Sequence, residues 1–332
     1  MMRAVVCREY GPPEALRIEE QPALAPAAGE VVVSVRASGL NFTDLLATSG
    51  RSQMKVRPPF TPGVEVAGIV KATGAGVTSV REGDRVFGSC FHGGHADEVR
   101  FKELEVAPLP AAMNFTAGAA FYIASNTALY SLHRRARLRA GETLLVLGAG
   151  SGVGLAAIDI GKALGAHVTA AASSEPKLAL AREHGADLTM RYPTGPLNVD
   201  DQKQFCAALR AHTQGAGYAV ILDGVGGSYA EPALRALARE GRFVSVGFAA
   251  GVPSIPLSVA LFRNADIMGI ELSSPEEREP GRNRDGVALL MGWIESGRLR
   301  PHVTEIYPLE AAAQGLRQLL DRRAAGRIVL SR

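Results

Sequence analysis

The residues with the clearest chemical spacing are Gly148-Ala149-Gly150-Ser151-Gly152-Val153-Gly154. They follow the apolar run Leu144–Leu147 and open a helical pattern over Gly152–Leu164. Residues without a Cβ let the backbone approach a pyrophosphate, and a helix start offers free N–H groups with a partial positive charge. Gly150, Ser151, Gly152 and Val153 are therefore the expected phosphate contacts, and Gly154 lets helix and sheet pack closely. A plain tight turn would use the same glycines. The strand–turn–helix context favours phosphate, because Leu144 to Ala172 spans the ~30 residues of a dinucleotide-binding β-α-β unit.

The end of the second strand of this unit, Val168–Ala172, bears on which dinucleotide binds. An NAD site ends that strand with Asp or Glu on the ribose diol. Here the chain continues Ser173-Ser174, with Lys177 a turn later; Glu175, the nearby acid, lies in the first turn of the next helix. Two hydroxyls and an ammonium suit a 2′-phosphate that a carboxylate would repel, so NADPH is expected over NADH. Ser174 is also a good N-cap for a helix beginning Glu175-Pro176, and it can serve both ends.

The elements around this unit alternate. From about Ala117 to Asn264 the pattern is strand, glycine-rich turn, helix, with Glu175–His184 as second helix and Ala219–Leu222 and Arg242–Val246 as further buried strands. That alternation predicts an α/β, doubly wound parallel sheet. The first third is β-rich, with Val31–Val35 and Val64–Val70 punctuated by Pro58-Pro59 and Pro62-Gly63. Beyond Ile267 mixed structure returns, ending in a closing strand over Gly326–Leu330.

Composition narrows the class. A 332-residue chain that is 47% hydrophobic can build two packed domains. Net charge is only +3, and Arg134, Arg135, Arg137 and Arg139 carry no interleaved aromatics, so they read as a solvated helix end rather than a nucleic-acid patch. Cys7, Cys90 and Cys206 are too far apart for a C-x-x-C pair or a disulfide framework. With no signal-peptide core near Arg3–Glu9 and no run of ~18 apolar residues, a soluble cytoplasmic protein is expected.

With these residues in view, the chain resembles the quinone oxidoreductase family of medium-chain dehydrogenases/reductases, which includes ζ-crystallin-like and VAT-1-like proteins. The resemblance runs essentially end to end. It rests on Gly39–Asp44, Pro62–Gly68, Gly83–Val86, Asn126–Leu129, the glycine run, Asp223–Gly227 and Pro301–Val303 in that order. It implies a Rossmann domain over 122–264 inserted in a discontinuous GroES-like catalytic domain of 1–121 with 265–332, an active site in the cleft, and homodimers formed partly by pairing nucleotide-domain sheets. It also implies that Asn41 and Thr127 lie near the nicotinamide and ribose, positioning cofactor or substrate. Ser173, Ser174 and Lys177 would contact the adenosine phosphate, with Tyr192 flanking it unless it is a surface aromatic after a strand. Gly247, Phe248 and Ala249 would form a loop beside the nicotinamide.

Departures from the zinc enzymes of the superfamily are equally informative. Those enzymes place Cys where this chain has the Asn41–Asp44 loop and Gly-His-Glu where it has Gly63-Val64-Glu65, and valine ligates no metal. The cysteine cluster of a structural zinc lobe is absent, and His92 with His95 lacks a third ligand, so both read as loop histidines. Asp44 and Glu65 then read as structural. Without a Lewis acid, alcohol oxidation is disfavoured and a zinc-free reduction of an electrophile such as a quinone or enone is expected. Relatives carry a tyrosine after Gly50, where this chain has Arg51-Ser52-Gln53, so no proton donor is identified; that leans toward quinones over enoyl thioesters. The alternatives are an enoyl-thioester or 2-alkenal reductase on this fold, and a non-catalytic NADPH-binding protein. The charged segment 271–281 is expected as a flap or an interface loop.

Overall fold

The computed structural model describes residues 1–52, 54–272 and 282–332; of the charged segment 271–281, only Glu271 and Leu272 fall within them. The chain divides into two compact units, Met1–Ile123 with Pro301–Arg332, and Ala124–Arg300.

The first unit opens with β1 (Met2–Val6) and β2 (Arg17–Gln21), an antiparallel pair. There follow β3 (Glu30–Leu40), α1 (Phe42–Thr48), β4 (Glu65–Thr73), β5 (Arg85–Ser89), β6 (Glu98–Lys102), β7 (Val106–Pro108) and α2 (Phe115–Ala119). The helix α3 (Tyr122–Leu129) carries the chain into the second unit. There it runs β8 (Thr143–Leu147), α4 (Gly152–Ala163), β9 (His167–Ala172), α5 (Glu175–Glu183), β10 (Leu188–Arg191), α6 (Val199–Ala211) and β11 (Tyr218–Asp223). Next come α7 (Ala230–Arg235), β12 (Leu237–Ser245), α8 (Leu257–Arg263), β13 (Asp266–Gly269) and α9 (Arg282–Glu295). The chain then returns to the first unit as β14 (Val303–Pro308), α10 (Ala312–Leu320) and β15 (Arg327–Ser331).

In the first unit the long strand β3 is the organiser. It pairs antiparallel with β4, β6 and β15, in a sheet ordered β14-β15-β3-β4-β5-β7. Its valines pack with Val66, Val70, Val99 and Phe101, while Leu40 meets Leu316, Ile328 and Leu330 from the chain's other end. Both termini are needed to close this core, which is why the unit is discontinuous.

The second unit is a six-stranded parallel sheet ordered β10-β9-β8-β11-β12-β13. The chain begins at β8 in the centre, winds outward to β10, then returns to β11 beside β8. Ligands of such sheets bind outside the carboxyl ends of the strands at this reversal. Helices cover a parallel sheet on both faces, so its central strands are apolar throughout, as in Leu144–Leu147 and Val220–Leu222.

The expected boundary after residue 264 is corrected here. Asp266–Gly269 is the sixth parallel strand, in register with β12 from Arg242↔Asp266 to Ser245↔Gly269, and the unit continues to Arg300. As an edge strand β13 is largely exposed and carries no apolar run, so it gave no strand signal. The first crossing falls after Ile123 rather than after 121. Past α3 the helix widens to a π-helical stretch, Tyr130–Arg135; Arg134, Arg135, Arg137 and Arg139 all face solvent, as a helix end should. Among the described residues no helix is long and apolar enough to cross a membrane.

Candidate functional site

The glycine run forms the turn from β8 into α4. Gly148 adopts φ +77°, which needs glycine, and the N–H groups of Gly148 and Ala149 donate to Ala171 O at 3.1 and 3.0 Å. Ser151 is the N-cap of α4: its hydroxyl accepts from Gly154 N at 3.1 Å and donates to Gly148 O at 2.8 Å. A Cβ on Gly154 would lie 2.4 Å from Gly148 O, so helix and turn touch only because it is glycine. A Cβ on Gly150 would lie 2.6 Å from Lys177 Cβ and Cγ, so the lysine stem crosses this turn. The turn's own residues carry no bulky side chain, the Lys177 stem lies across it, and the first N–H groups of a helix lack intrahelical partners, the arrangement a pyrophosphate can use.

At the end of β9 the sequence places Ser173, Ser174 and Lys177 around the start of α5. Ser174 occupies the N-cap position, but its side chain makes no capping hydrogen bond, so the alternative role in the helix cap is not exercised. Glu175 is turned along the helix to Arg182, Oε1 to Nη1 2.7 Å, away from the serines. Tyr192 donates its N–H to Ala172 O at 3.0 Å, which fixes it beside this corner. It is not a surface aromatic: its ring is buried at 5.2 Å from Tyr229 and 6.1 Å from Phe205. Gly150–Val153, Ser173, Ser174, Lys177 and Tyr192 therefore gather at the carboxyl ends of β8, β9 and β10.

Across the reversal, the carboxyl ends of β11 and β12 carry two interlocked loops. Ala250 N donates to Val225 O at 2.7 Å and Gly227 N to Gly251 O at 2.7 Å. Gly247, Phe248 and Ala249 lie on this second loop, with Phe248 exposed. Asp223 anchors the first: Oδ1 accepts from Val225 and Gly226 N–H at 2.8 and 3.0 Å, while Oδ2 is buried with no hydrogen-bond partner. Burial pushes its carboxyl above the usual range, against the pull of those two N–H groups. Thr127 sits on α3, half buried, its carbonyl accepting the Ser131 hydroxyl at 2.6 Å where the helix gives way to π geometry.

Asn41 belongs to the first unit, at the N-cap of α1. Its amide is committed: Oδ1 accepts from Arg327 Nη1 at 2.8 Å, and Nδ2 donates to Glu65 Oε2 at 3.2 Å. Arg327 Nη2 also donates to Glu65 Oε2, and Glu65 Oε1 accepts from Ile123 N at 3.0 Å. Burial raises the Glu65 carboxyl and the Arg327 charge opposes it. Sequence reasoning missed Arg327. Its signal was an arginine opening the buried strand Ile328–Leu330, which demands a carboxylate.

Asp44 accepts from Asn41 N at 2.8 Å and Gly63 N at 3.1 Å, tying the start of α1 to the following loop. The reading of His92 and His95 as loop histidines divides. His92 is exposed beside Phe91 and Phe60, and burial of part of its ring lowers its pKa. His95 is fully buried, Nδ1 3.2 Å from Ser38 Oγ and Nε2 3.5 Å from Asp44 Oδ2. Asp44, His95 and Ser38 follow the order of a nucleophilic triad, yet Ser38 is sealed from solvent and its oxygen accepts from Arg332 Nη1 at 3.3 Å. A hydrolytic role is excluded by that burial. Among the described residues no three His, Cys, Asp or Glu side chains converge as a metal site would require. A tyrosine does stand near Gly50: the Tyr10 ring lies where a Gly50 Cβ would meet it at 2.9 Å, with its hydroxyl donating to Val56 O at 2.9 Å.

Comparison with known proteins gives the class. Residues 27–128 match the alcohol dehydrogenase GroES-like domain and residues 152–282 the zinc-binding dehydrogenase family, the pair that defines a medium-chain dehydrogenase/reductase. Quinone oxidoreductase-like protein 2 of Bos taurus is 34% identical over 331 residues, covering 99% of this chain and 92% of that protein. A mycobacterial protein solved in complex with NADPH matches with a TM-score of 0.91 at 28% identity, covering 100% of both chains. The CurK enoyl reductase matches at 0.88 and 26%, covering 99% of each. The chain belongs to the quinone oxidoreductase family of this superfamily, and is an oxidoreductase built for a nicotinamide cofactor.

Proposed function

We propose that this enzyme is a zinc-independent, NADPH-dependent reductase that delivers hydride to a quinone or a similarly electrophilic small molecule. The observation that carries the cofactor choice is the end of β9, where Ser173, a Ser174 hydroxyl that makes no capping bond and Lys177 follow one another and Glu175 is paired with Arg182. A 2′-phosphate finds donors there, and the strand ends without the carboxylate that would hold a ribose diol.

NADPH, when bound, supplies the hydride. The chain's own residues hold and orient. Gly150, Ser151, Gly152 and Val153 offer backbone N–H groups to the pyrophosphate, while Ser173, Ser174 and Lys177 hold the adenosine end beside the buried Tyr192. Gly247, Phe248 and Ala249, with Thr127, border the nicotinamide end. Asn41, rigidly held by Arg327 and Glu65, positions cofactor or substrate on the catalytic unit. Val64 in place of a metal-binding histidine supports an acceptor that is electrophilic without a Lewis acid. A reduced quinone takes its protons from water, which fits the lack of an identified donor after Gly50. The similarity to an enoyl reductase favours, as second reading, an activated alkene as acceptor.

The test is oxidation of NADPH and of NADH, followed at the nicotinamide absorbance, with quinones, 2-alkenals and enoyl thioesters, with and without a chelator. NADPH-specific, chelator-resistant turnover with quinones is expected. Faster turnover of alkenes would install the second reading, and loss of activity on chelation would end the zinc-free one. The proposal includes a homodimer, supported by the edge of β13, which no described residue pairs, and the exposed Leu257, Leu261 and Phe262 of α8, and a reducing, cytoplasmic setting, supported by three free cysteines.

A further inference from the structure

Arg191 is the last residue of β10 and lies in register with Ala172, the residue before Ser173. Side chains alternate along a strand, so Arg191 shares a face with Thr189. That face is the one covered by α5, because Thr189 Oγ1 accepts from Arg182 Nη2 at 3.0 Å. Arg191 stands two residues beyond Thr189, roughly 6.6 Å along the strand. The same distance back along α5 from Arg182 is four to five residues, at about 1.5 Å each, which reaches Lys177 and Leu178. Tyr192, the next residue, turns to the opposite face and is buried against Phe205 and Tyr229, as alternation requires.

Arg191 is exposed, and among the described residues no hydrogen bond or ion pair holds its guanidinium. An exposed arginine is ordinarily just a solvated charge. Here it stands at the corner that carries Ser173, Ser174 and Lys177, where Glu175 is neutralised by Arg182 at 2.7 Å. A guanidinium presents a planar fork of donors that fits a phosphate better than a point charge does.

We propose that Arg191 is a further contact for the cofactor's 2′-phosphate and sets the margin by which the enzyme prefers NADPH to NADH. The assignment rests on the NADPH reading above. It gives Arg191 no part in catalysis and assigns Lys177 only a share of the phosphate's charge.

The test is calorimetric binding of adenosine 2′,5′-bisphosphate and of 5′-ADP, which lack the nicotinamide, to wild type, Arg191→Gln and Arg191→Lys. Arg191→Gln should weaken the 2′-phosphorylated ligand about tenfold, one charge-assisted contact, and leave 5′-ADP unchanged; Arg191→Lys should recover part of the loss. Wild type binding both ligands alike would overturn the NADPH reading and this assignment with it. A wild-type preference that survives whole in Arg191→Gln, or an equal loss on both ligands, would overturn the Arg191 assignment alone.

Discussion

Arg327 donates to Glu65 across 262 residues of sequence, and both side chains are buried. The same guanidinium holds Asn41 Oδ1 at 2.8 Å, so the last strand of the chain fixes the turn that opens α1. Gly39 makes room for this: a Cβ there would lie 2.2 Å from Ala119 O and 3.0 Å from Glu65 Oε2. Arg327→Ala would leave a buried carboxylate without its cation, a loss of about 3–5 kcal/mol in urea unfolding. Arg327→Lys keeps the charge but not the two-pronged geometry and should cost less. An alanine variant within ~1 kcal/mol of wild type would mean the pair is not sealed from water.

Two glycines of the turn from β8 into α4 should both be needed for stability. At Gly154 an added methyl meets backbone, 2.4 Å from Gly148 O and 2.7 Å from Ala149 Cα, so Gly154→Ala should cost about 1–3 kcal/mol in thermal or urea unfolding. At Gly150 it meets Lys177 Cβ and Cγ at 2.6 Å, and that Cβ is fixed to the backbone of α5, so turn and helix must move apart. Gly150→Ala should therefore also cost about 1–3 kcal/mol in unfolding, and should in addition weaken NADPH about tenfold or more, read by cofactor fluorescence titration. A Gly150→Ala variant that unfolds like wild type would contradict this close approach.

What could be read in the residues followed from where the chemistry resides. The turn from β8 into α4 was legible because glycine spacing reports backbone conformation directly. The strands β8, β9 and β11 were legible because burial on both faces leaves apolar runs. β13 was not, since an edge strand of Asp266-Ile267-Met268-Gly269 has neither run nor alternation. The network about Asn41 was also hidden. Arg327 meets Glu65, and His95 meets Ser38, only through antiparallel registers that bring distant segments together. The burial of the Tyr192 ring was also hidden, because Phe205 and Tyr229, which cover it, come from later elements.

The second unit should show a pH-dependent stability that traces to Asp223. Burial raises its carboxyl pKa in the folded state, so the folded protein holds this proton more tightly than the unfolded chain does. The resulting stability is present below the ordinary carboxyl range near ~4 and is lost as pH rises through the elevated native value. Asp223→Asn keeps an oxygen for Val225 and Gly226 N–H and removes the titration. Urea midpoints at rising pH should therefore turn in favour of the variant. A difference between the two proteins that stays constant from pH 4 to 8 would mean that Asp223 titrates normally.

The exposed face of α8 should decide the oligomeric state. Leu257, Leu261 and Phe262 are 73%, 73% and 81% exposed, beside an open groove of about 700 Å³ lined by Leu257, Ala260, Leu261 and Ala265. Isolated exposed apolar residues are ordinary, but three on one short helix, beside a strand edge that no described residue pairs, form a patch of the kind that marks an interface. A second copy laid on helix and edge together would supply both apolar contact and backbone partners. Leu261→Asp with Phe262→Asp should convert a dimer to a monomer in analytical ultracentrifugation, because two carboxylates per copy would then be desolvated across the contact. Unfolding of the isolated monomer should change little, since both side chains already face water. A double variant that sediments with the wild-type dimer would place the interface elsewhere, and a wild type that is monomeric at tens of micromolar would remove the homodimer from the proposal.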